Sequence, residues 1–201
     1  MGPQRIAVLA SGTGTNLQAL LDDPVVGPNV ALVVSDRAGA GVLRRAEDGG
    51  VKAIHLDPTG SDDREAYDRS LLDLLREQAD LVCLAGFMRI LSAPVVRAFE
   101  GRMLNVHPSL LPAFPGARAV HDALAWGAKV TGVTVHLVDE QVDHGPIVLQ
   151  EAVDIRPDDD ETSLHARIQA VEHRLYPQAA ALFLTGRVRV EGRRVRIEEE
   201  G

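Results

Sequence analysis

The first hundred residues alternate short apolar runs with longer amphipathic ones, and that rhythm leaves few folds open. Ile6-Ala7-Val8-Leu9-Ala10, Val30-Ala31-Leu32-Val33-Val34, the stretch Val51 to His55 and Leu81-Val82-Cys83-Leu84 read as strands. Most of them are apolar without alternation, so both faces of the sheet they form must be covered. The segments between them supply the cover. Thr15 to Leu21, Gly41 to Glu47 and Asp62 to Gln78 read as helices, the last with Tyr67, Leu71, Leu72, Leu74 and Leu75 at helical spacing. Strands joined by crossover helices predict an α/β fold: an open, mostly parallel, Rossmann-like sheet with helices on both faces.

The second half reads less regularly. A short helix spans Ala93 to Phe99 and a strand Met103 to Val106, before a Pro-rich loop through Gly116 that cannot be regular structure. Thr131 to Val138 alternates, with Val133, Val135 and Leu137 on one face and Thr134 and His136 on the other. It pairs with Ile147 to Ile155 as an antiparallel hairpin around Asp143 to Pro146. Glu161 to Leu184 forms a long C-terminal helix with a kink or break at Pro177, and Val188 to Ile197 closes the chain as a terminal hairpin about Glu191-Gly192. No Pro/Ser-rich linker marks a boundary, so residues 1–201 are expected to form a single domain.

Charge and cysteine usage then narrow the function. A formal charge of −8 opposes a general phosphate-backbone binder, which needs a dense field of Lys and Arg, but allows a small phosphorylated metabolite. Neither a spanning helix nor a signal peptide is legible, and the single Cys83 sits inside an apolar strand, so a cytoplasmic, reducing location is expected. The seven histidines show no close-spaced pattern with cysteine and no HExxH, so no metal is expected.

Three places carry candidate chemistry. Ser11-Gly12-Thr13-Gly14-Thr15-Asn16-Leu17 follows a strand and opens a helix, so its N–H groups can hold an anion. A monophosphate at Gly14, Thr15 and Asn16, a dinucleotide that would recruit Asp36, and a merely tight turn all remain open. Leu17 stands where the dinucleotide fingerprint needs its third glycine. In Asn105-Val106-His107-Pro108, residues two apart on an extended segment share a face, so amide and imidazole point the same way; a satisfied structural pair would look alike. Asp143, in Asp143-His144-Gly145-Pro146-Ile147, is either an ordinary turn acid or, beside His107, a carboxylate that would raise the imidazole's pKa and make it a proton donor.

Taken together, Asn105 to Pro112, Leu84 to Leu91 (Leu-Ala-Gly-Phe-Met-Arg-Ile-Leu) and Asp143 to Ile147 resemble the formyltetrahydrofolate-dependent formyltransferases. The turn Ser11 to Gln18 and Glu172-His173 ahead of Tyr176-Pro177 are similar to the branch of that family that formylates glycinamide ribonucleotide. The likeness spans roughly residues 5 to 186.

The resemblance implies transfer of a formyl group from 10-formyltetrahydrofolate, as co-substrate, to the glycyl amine of glycinamide ribonucleotide in purine biosynthesis, with no metal. It assigns Asn105 and protonated His107 to the tetrahedral oxyanion, His107 as general acid, and Asp143 as the group that keeps the imidazolium charged and oriented. Gly14, Thr15 and Asn16 would take the ribonucleotide phosphate, Pro108 would lie against the ribose, and Glu172 would accept ribose hydroxyls. Met88, Arg89, Ile90 and Leu91, with Asn105, would receive the folate, Arg64 would face its glutamate tail, and His136 would support the site. The part up to about residue 100 would be the phosphate side, and about 101–201 the catalytic loop and folate side. Partners would be small molecules only, with neither nucleic acid nor membrane, and the assembly a monomer or homodimer. The chain departs from the family in carrying Arg118, with His121 next, where many relatives have a histidine after the loop's Pro-Gly, and Gln169 near where some place a lysine.

Overall fold

Four parallel strands build the first part of the chain: β1 (Ile6–Leu9), β2 (Val30–Ser35), β3 (Lys52–His55) and β4 (Leu81–Leu84). The computed structural model describes residues 4–59 and 64–199. β1 pairs with β2 and β4, and β2 with β3, all parallel. Every residue of β1 and β4 is buried, as uninterrupted apolar runs require. Helices α1 (Thr15–Asp22), α2 (Gly41–Asp48), α3 (Arg64–Gln78) and α4 (Ala93–Ala98) alternate with these strands. Leu17, Leu20, Leu71 and Leu75 are fully buried, and each contributes roughly 1.5–3 kcal/mol by leaving water. The expected start of the third helix, Asp62 and Asp63, lies outside the described residues; the helix is seen from Arg64.

β5 (Met103–His107) carries the chain into its second compact unit, Asn105–Gly201, the first being Met1–Leu104. The strand order of the main sheet is β3-β2-β1-β4-β5-β6-β7, where β6 (Val130–Leu137) and β7 (Ile147–Asp154) form the antiparallel hairpin expected from the sequence. Helix α5 (Ala119–Trp126), which the sequence reading does not anticipate, intervenes between the Pro-rich loop and β6. Its buried face consists of Ala119 and Ala123, too small to write an apolar period.

Two further readings change. The alternation in β6 suggests a strand with one polar face, yet all of it beyond Val130 is buried, because helix α6 (Glu161–Leu184) packs on β6 and β7 and the Pro-rich loop bonds to Thr134. The break at Pro177 does not occur. An interior proline costs about 3 kcal/mol, but Leu175, Tyr176, Ala179, Ala180 and Leu182 are buried around it and keep α6 continuous. Its start is fixed by a capping box in which Asp160 accepts from the Ser163 N–H at 2.7 Å while Ser163 Oγ accepts from the Asp160 N–H at 3.0 Å. Strands β8 (Val188–Glu191) and β9 (Arg194–Ile197) form the expected terminal hairpin as a separate two-stranded sheet. Among the described residues no helix is long and apolar enough to cross a membrane.

Candidate active site

The second unit assembles its chemistry at the end of β5. Asn105 and His107 point the same way, as their spacing requires, and the turn after β6 brings Asp143 to them. His107 Nδ1 lies 3.5 Å from Asp143 Oδ2, and Asn105 Nδ2 lies 3.5 Å from Asp143 Oδ1. His136, on the polar face of β6, completes the group, its Nε2 being 3.7 Å from Asp143 Oδ1.

The partners fix which atoms carry hydrogen. His107 Nε2 donates to the Phe114 carbonyl at 2.9 Å, so neutral His107 presents a bare Nδ1 toward Asp143. His136 Nδ1 donates to the Leu137 carbonyl at 2.8 Å, so its neutral Nε2 accepts from Asn105 Nδ2 at 3.2 Å. The Asn105 amide is thereby oriented with both N–H groups toward His136 and Asp143. Acting as an oxyanion donor requires one of them to be released, and the longer contact, to Asp143, is the weaker.

Burial sets the charge. His107 is 5% exposed, and its pKa is held below the usual 6.5 by burial first, which the Phe114 carbonyl and Asp143 oppose and His136 reinforces. The sequence reading expects Asp143 to raise this pKa; its pull is present but desolvation outweighs it, so His107 rests neutral near pH 7. Asp143 behaves in the opposite sense. Burial raises its pKa, but the nearby His136 and His107 rings and the bond from the Gly116 N–H, at 2.7 Å from Oδ2, carry it below 3.8 and keep the carboxylate ionised.

The long loop is rigid because β6 and β7 bond to it. Thr134 Oγ1 donates to the Ser109 carbonyl at 2.7 Å and accepts from Leu111 N–H at 3.1 Å, while Gln150 Nε2 reaches both Thr134 Oγ1 and the Leu111 carbonyl at 2.8 Å. Ser109 Oγ donates to the Ala113 carbonyl at 2.6 Å. These polar side chains place the Phe114 carbonyl and Gly116 N–H that His107 and Asp143 use. Asp143 itself adopts φ +52°, and a Cβ at Gly145 would stand 1.9 Å from the Leu137 carbonyl, so this turn admits only glycine there.

The first unit holds the other candidates. Gly14 caps α1 at φ +81°, where a Cβ would meet the Val42 backbone at 2.7 Å. No side chain caps this helix at Gly14, and its N-terminal end, at Thr15 and Asn16, carries the positive end of the helix dipole. Arg45 Nε donates to the Thr13 carbonyl at 2.8 Å and Val42 N–H to the Gly12 carbonyl at 3.1 Å, tying the turn to α2. Asp36 is engaged within the protein: it accepts from Ser11 Oγ at 2.6 Å, and Ser11 Oγ accepts from Met88 N–H at 2.9 Å. Ser11 N–H also donates to the Gly86 carbonyl at 3.1 Å. Ser11 therefore joins the turn to segment 86–91, a role its place in the motif does not announce.

In that segment Met88 and Ile90 are 59% and 66% exposed, unusual for such side chains. Arg64 donates to the Ile90 carbonyl at 2.8 Å, and Arg89 lies 4.5 Å from the Tyr67 ring centroid. In the stretch expected to receive the folate, Met88 N–H and Ile90 C=O are thus already bonded within the protein, while Leu91 is half-buried. Pro108 follows His107 directly, and Glu172 is 5% exposed on α6. Arg118 stands at the N-cap of α5 without a side-chain cap bond, and His121 pairs with Glu161.

Comparison with known proteins accords with this geometry. A glycinamide ribonucleotide transformylase 1 structure from Symbiobacterium toebii superposes with a TM-score of 0.95 at 51% identity, covering 99% of this chain and 96% of that one. The phosphoribosylglycinamide formyltransferase of Mycobacterium tuberculosis (strain CDC 1551 / Oshkosh) is 45% identical over 95% of this chain and 90% of its own length. The trifunctional purine biosynthetic protein adenosine-3 of Drosophila melanogaster is 48% identical over 91% of this chain, which spans only 14% of that protein's length. The formyl transferase family matches residues 4–180, and this chain belongs to it.

Proposed function

We propose that this chain transfers the formyl group of 10-formyltetrahydrofolate to the glycyl amine of glycinamide ribonucleotide, yielding formylglycinamide ribonucleotide and tetrahydrofolate in purine biosynthesis. The observation that carries this reading is the buried imidazole of His107 with the Asp143 carboxylate 3.5 Å from Nδ1 and a hydrogen on Nε2. That arrangement can take a proton at one nitrogen while giving one from the other.

The reaction forms a bond from the amine nitrogen to the formyl carbon, breaks the bond from that carbon to the folate nitrogen, and moves one proton from the first nitrogen to the second. Asp143, held ionised, accepts the proton the attacking amine sheds and passes it to His107 Nδ1. The Nε2 hydrogen leaves the Phe114 carbonyl for the departing nitrogen. A neutral resting imidazole suits this order. The cation, costly in a buried site, forms only as an oxyanion develops beside it, with Asp143 to offset the charge. Asn105 turns one N–H from Asp143 to that oxyanion, and His136 keeps the amide facing it.

Gly14, Thr15 and Asn16 hold the ribonucleotide phosphate on the backbone, Pro108 lies against the ribose and Glu172 accepts its hydroxyls. Met88, Ile90 and Leu91 give the folate an apolar wall, Arg89 its main chain, and Arg64, 60% exposed at its side chain, faces the glutamate tail. In this reading residues 1–201 work as one formyltransferase domain, cytoplasmic, as monomer or homodimer, with small-molecule partners only and no metal.

The test is a spectrophotometric assay with a 10-formyl folate, run with and without glycinamide ribonucleotide. Deformylation that requires the ribonucleotide, with formylated product found by mass, is expected. Deformylation without it would make the chain a hydrolase, and none at all would remove the reading.

A further inference from the structure

The hairpin β8–β9 lies beyond residue 180, where the family match ends, and it touches the loop that carries Asp143. Arg193 stands in its turn after Gly192, which takes φ +61°. The guanidinium NH2 donates to the His144 carbonyl at 2.6 Å, and NH1 lies 3.4 Å from both nitrogens of the His144 ring. His144 Nδ1 is in turn 2.7 Å from Asp139 Oδ2, and Asp139 Oδ1 accepts from Gln141 N–H at 2.9 Å. One cation therefore grips the carbonyl of the residue after Asp143 and the side chain that ties both ends of the turn.

The hairpin is braced to deliver that grip. Glu198 N–H donates to the Arg187 carbonyl at 2.9 Å, Arg189 pairs with Glu198 at 3.0 Å, Arg196 pairs with Glu191 at 3.2 Å, and β9 packs on β7. The turn it grips needs holding. Asp143 sits at positive φ, a conformation that costs a non-glycine residue energy and persists only where surroundings impose it. Its carboxylate must stay on Gly116 N–H and within 3.5 Å of His107 Nδ1.

We propose that Arg193 is a positioning residue for Asp143, fixing the 139–146 turn from outside so that the carboxylate remains set against His107. The inference rests on the function proposed above for Asp143, so its test includes a readout that needs no turnover. Gly116 N–H is that readout, because its acceptor is the Asp143 carboxylate.

Full-length Arg193→Ala, Arg193→Lys and the control Arg196→Ala, whose side chain bonds within the hairpin, are compared with wild type by amide hydrogen exchange at Gly116 and residues 139–146 and by steady-state kinetics. Arg193→Ala is expected to exchange about tenfold faster at these amides and to lose about tenfold in kcat with KM within about twofold, the scale of a charged hydrogen bond. Arg193→Lys, which keeps one donor for the His144 carbonyl, recovers part of both, and Arg196→Ala changes neither. Unchanged exchange at Gly116 in Arg193→Ala overturns the proposal, as does faster exchange with kcat intact. A wild type that exchanges slowly at Gly116 but transfers no formyl group would sink the function reading while Arg193→Ala still decides whether the hairpin sets Asp143.

Discussion

In the proposed reading Gly12–Asn16 offers a ligand its backbone, whereas the surroundings of His107 offer ionisable side chains withdrawn from water. The turn is built from small residues and glycine, held by bonds from Arg45 and Val42 to its main chain. Nothing in it has to change protonation. The cluster is built from four titratable or amide side chains at distances of 3.2 to 3.7 Å, and its properties follow from how burial is divided among them. A binding element made of N–H groups is sensitive to shape and indifferent to pH. A catalytic element made of buried charges tolerates little change in charge, even when shape is kept.

The sharpest way to break that contrast is to change charge without shape. In the proposed reaction Asp143→Asn, though isosteric, removes the proton acceptor, and His107→Ala removes the relay. Each is expected to lower kcat by about 10²–10⁴-fold, the usual contribution of a positioned acid or base, with the ribonucleotide KM little changed. The double variant should lose far less than the product of the two, since both act on one proton. Steady-state kinetics with both substrates varied decides it. A KM increase as large as the kcat loss would show that the cluster binds the ground state, and the division between the two regions would fail.

The converse change alters shape without charge. In Gly14→Ala the new methyl meets the Val42 backbone at 2.7 Å at a φ of +81°, a strain of about 1–3 kcal/mol that the turn can relieve only by opening. Since about 1.4 kcal/mol corresponds to tenfold, the ribonucleotide KM is expected to rise by roughly ten- to a hundredfold while kcat at saturation holds within about threefold. Thermal unfolding checks that the variant is folded. A kcat loss matching that of Asp143→Asn would tie the turn to the chemistry itself.

The sequence exposes these two regions unequally. Strands β1, β2 and β4 are legible because apolar runs have no alternative to burial, and the Gly14 turn because only small residues fit a strand-to-helix corner. Asn105 and His107 are legible as a pair from their spacing alone. Asp143 is legible only as one of two alternatives, a turn acid or a partner of His107: its approach depends on the β6–β7 register, in which His136 faces Ile147, and the likeness to a family chooses between them. Residue types name Asp143 as a neighbour that pulls the His107 pKa upward, and that pull is present, but they do not give exposure, and at 5% exposure desolvation leads. Ser11 and Arg193 act on partners 77 and 49 residues away, with no periodicity to mark them.

That lowered pKa gives the smallest effect, and one measurable without substrate. The unfolded imidazole of His107 titrates near 6.5 and the folded one lower, so below 6.5 the unfolded chain binds a proton that the folded chain resists. Stability therefore falls as pH drops from 7 toward 5. Asp143 acts in a separate window: its folded pKa lies below 3.8, so its contribution is present above that value and is lost only as pH falls through the lowered one. Denaturant unfolding at several pH values should show the decline between pH 7 and 5 in wild type and a flatter curve in His107→Gln, which cannot titrate. In Asp143→Asn the decline should extend to lower pH, because removing the carboxylate lowers the folded His107 pKa further. The difference between wild type and His107→Gln isolates this imidazole from the other six histidines. A wild type that gains stability relative to His107→Gln as pH falls through 6.5 would mean the folded site prefers the cation. His107 would then rest charged, and the proton would start on the imidazole instead of reaching it from the amine through Asp143.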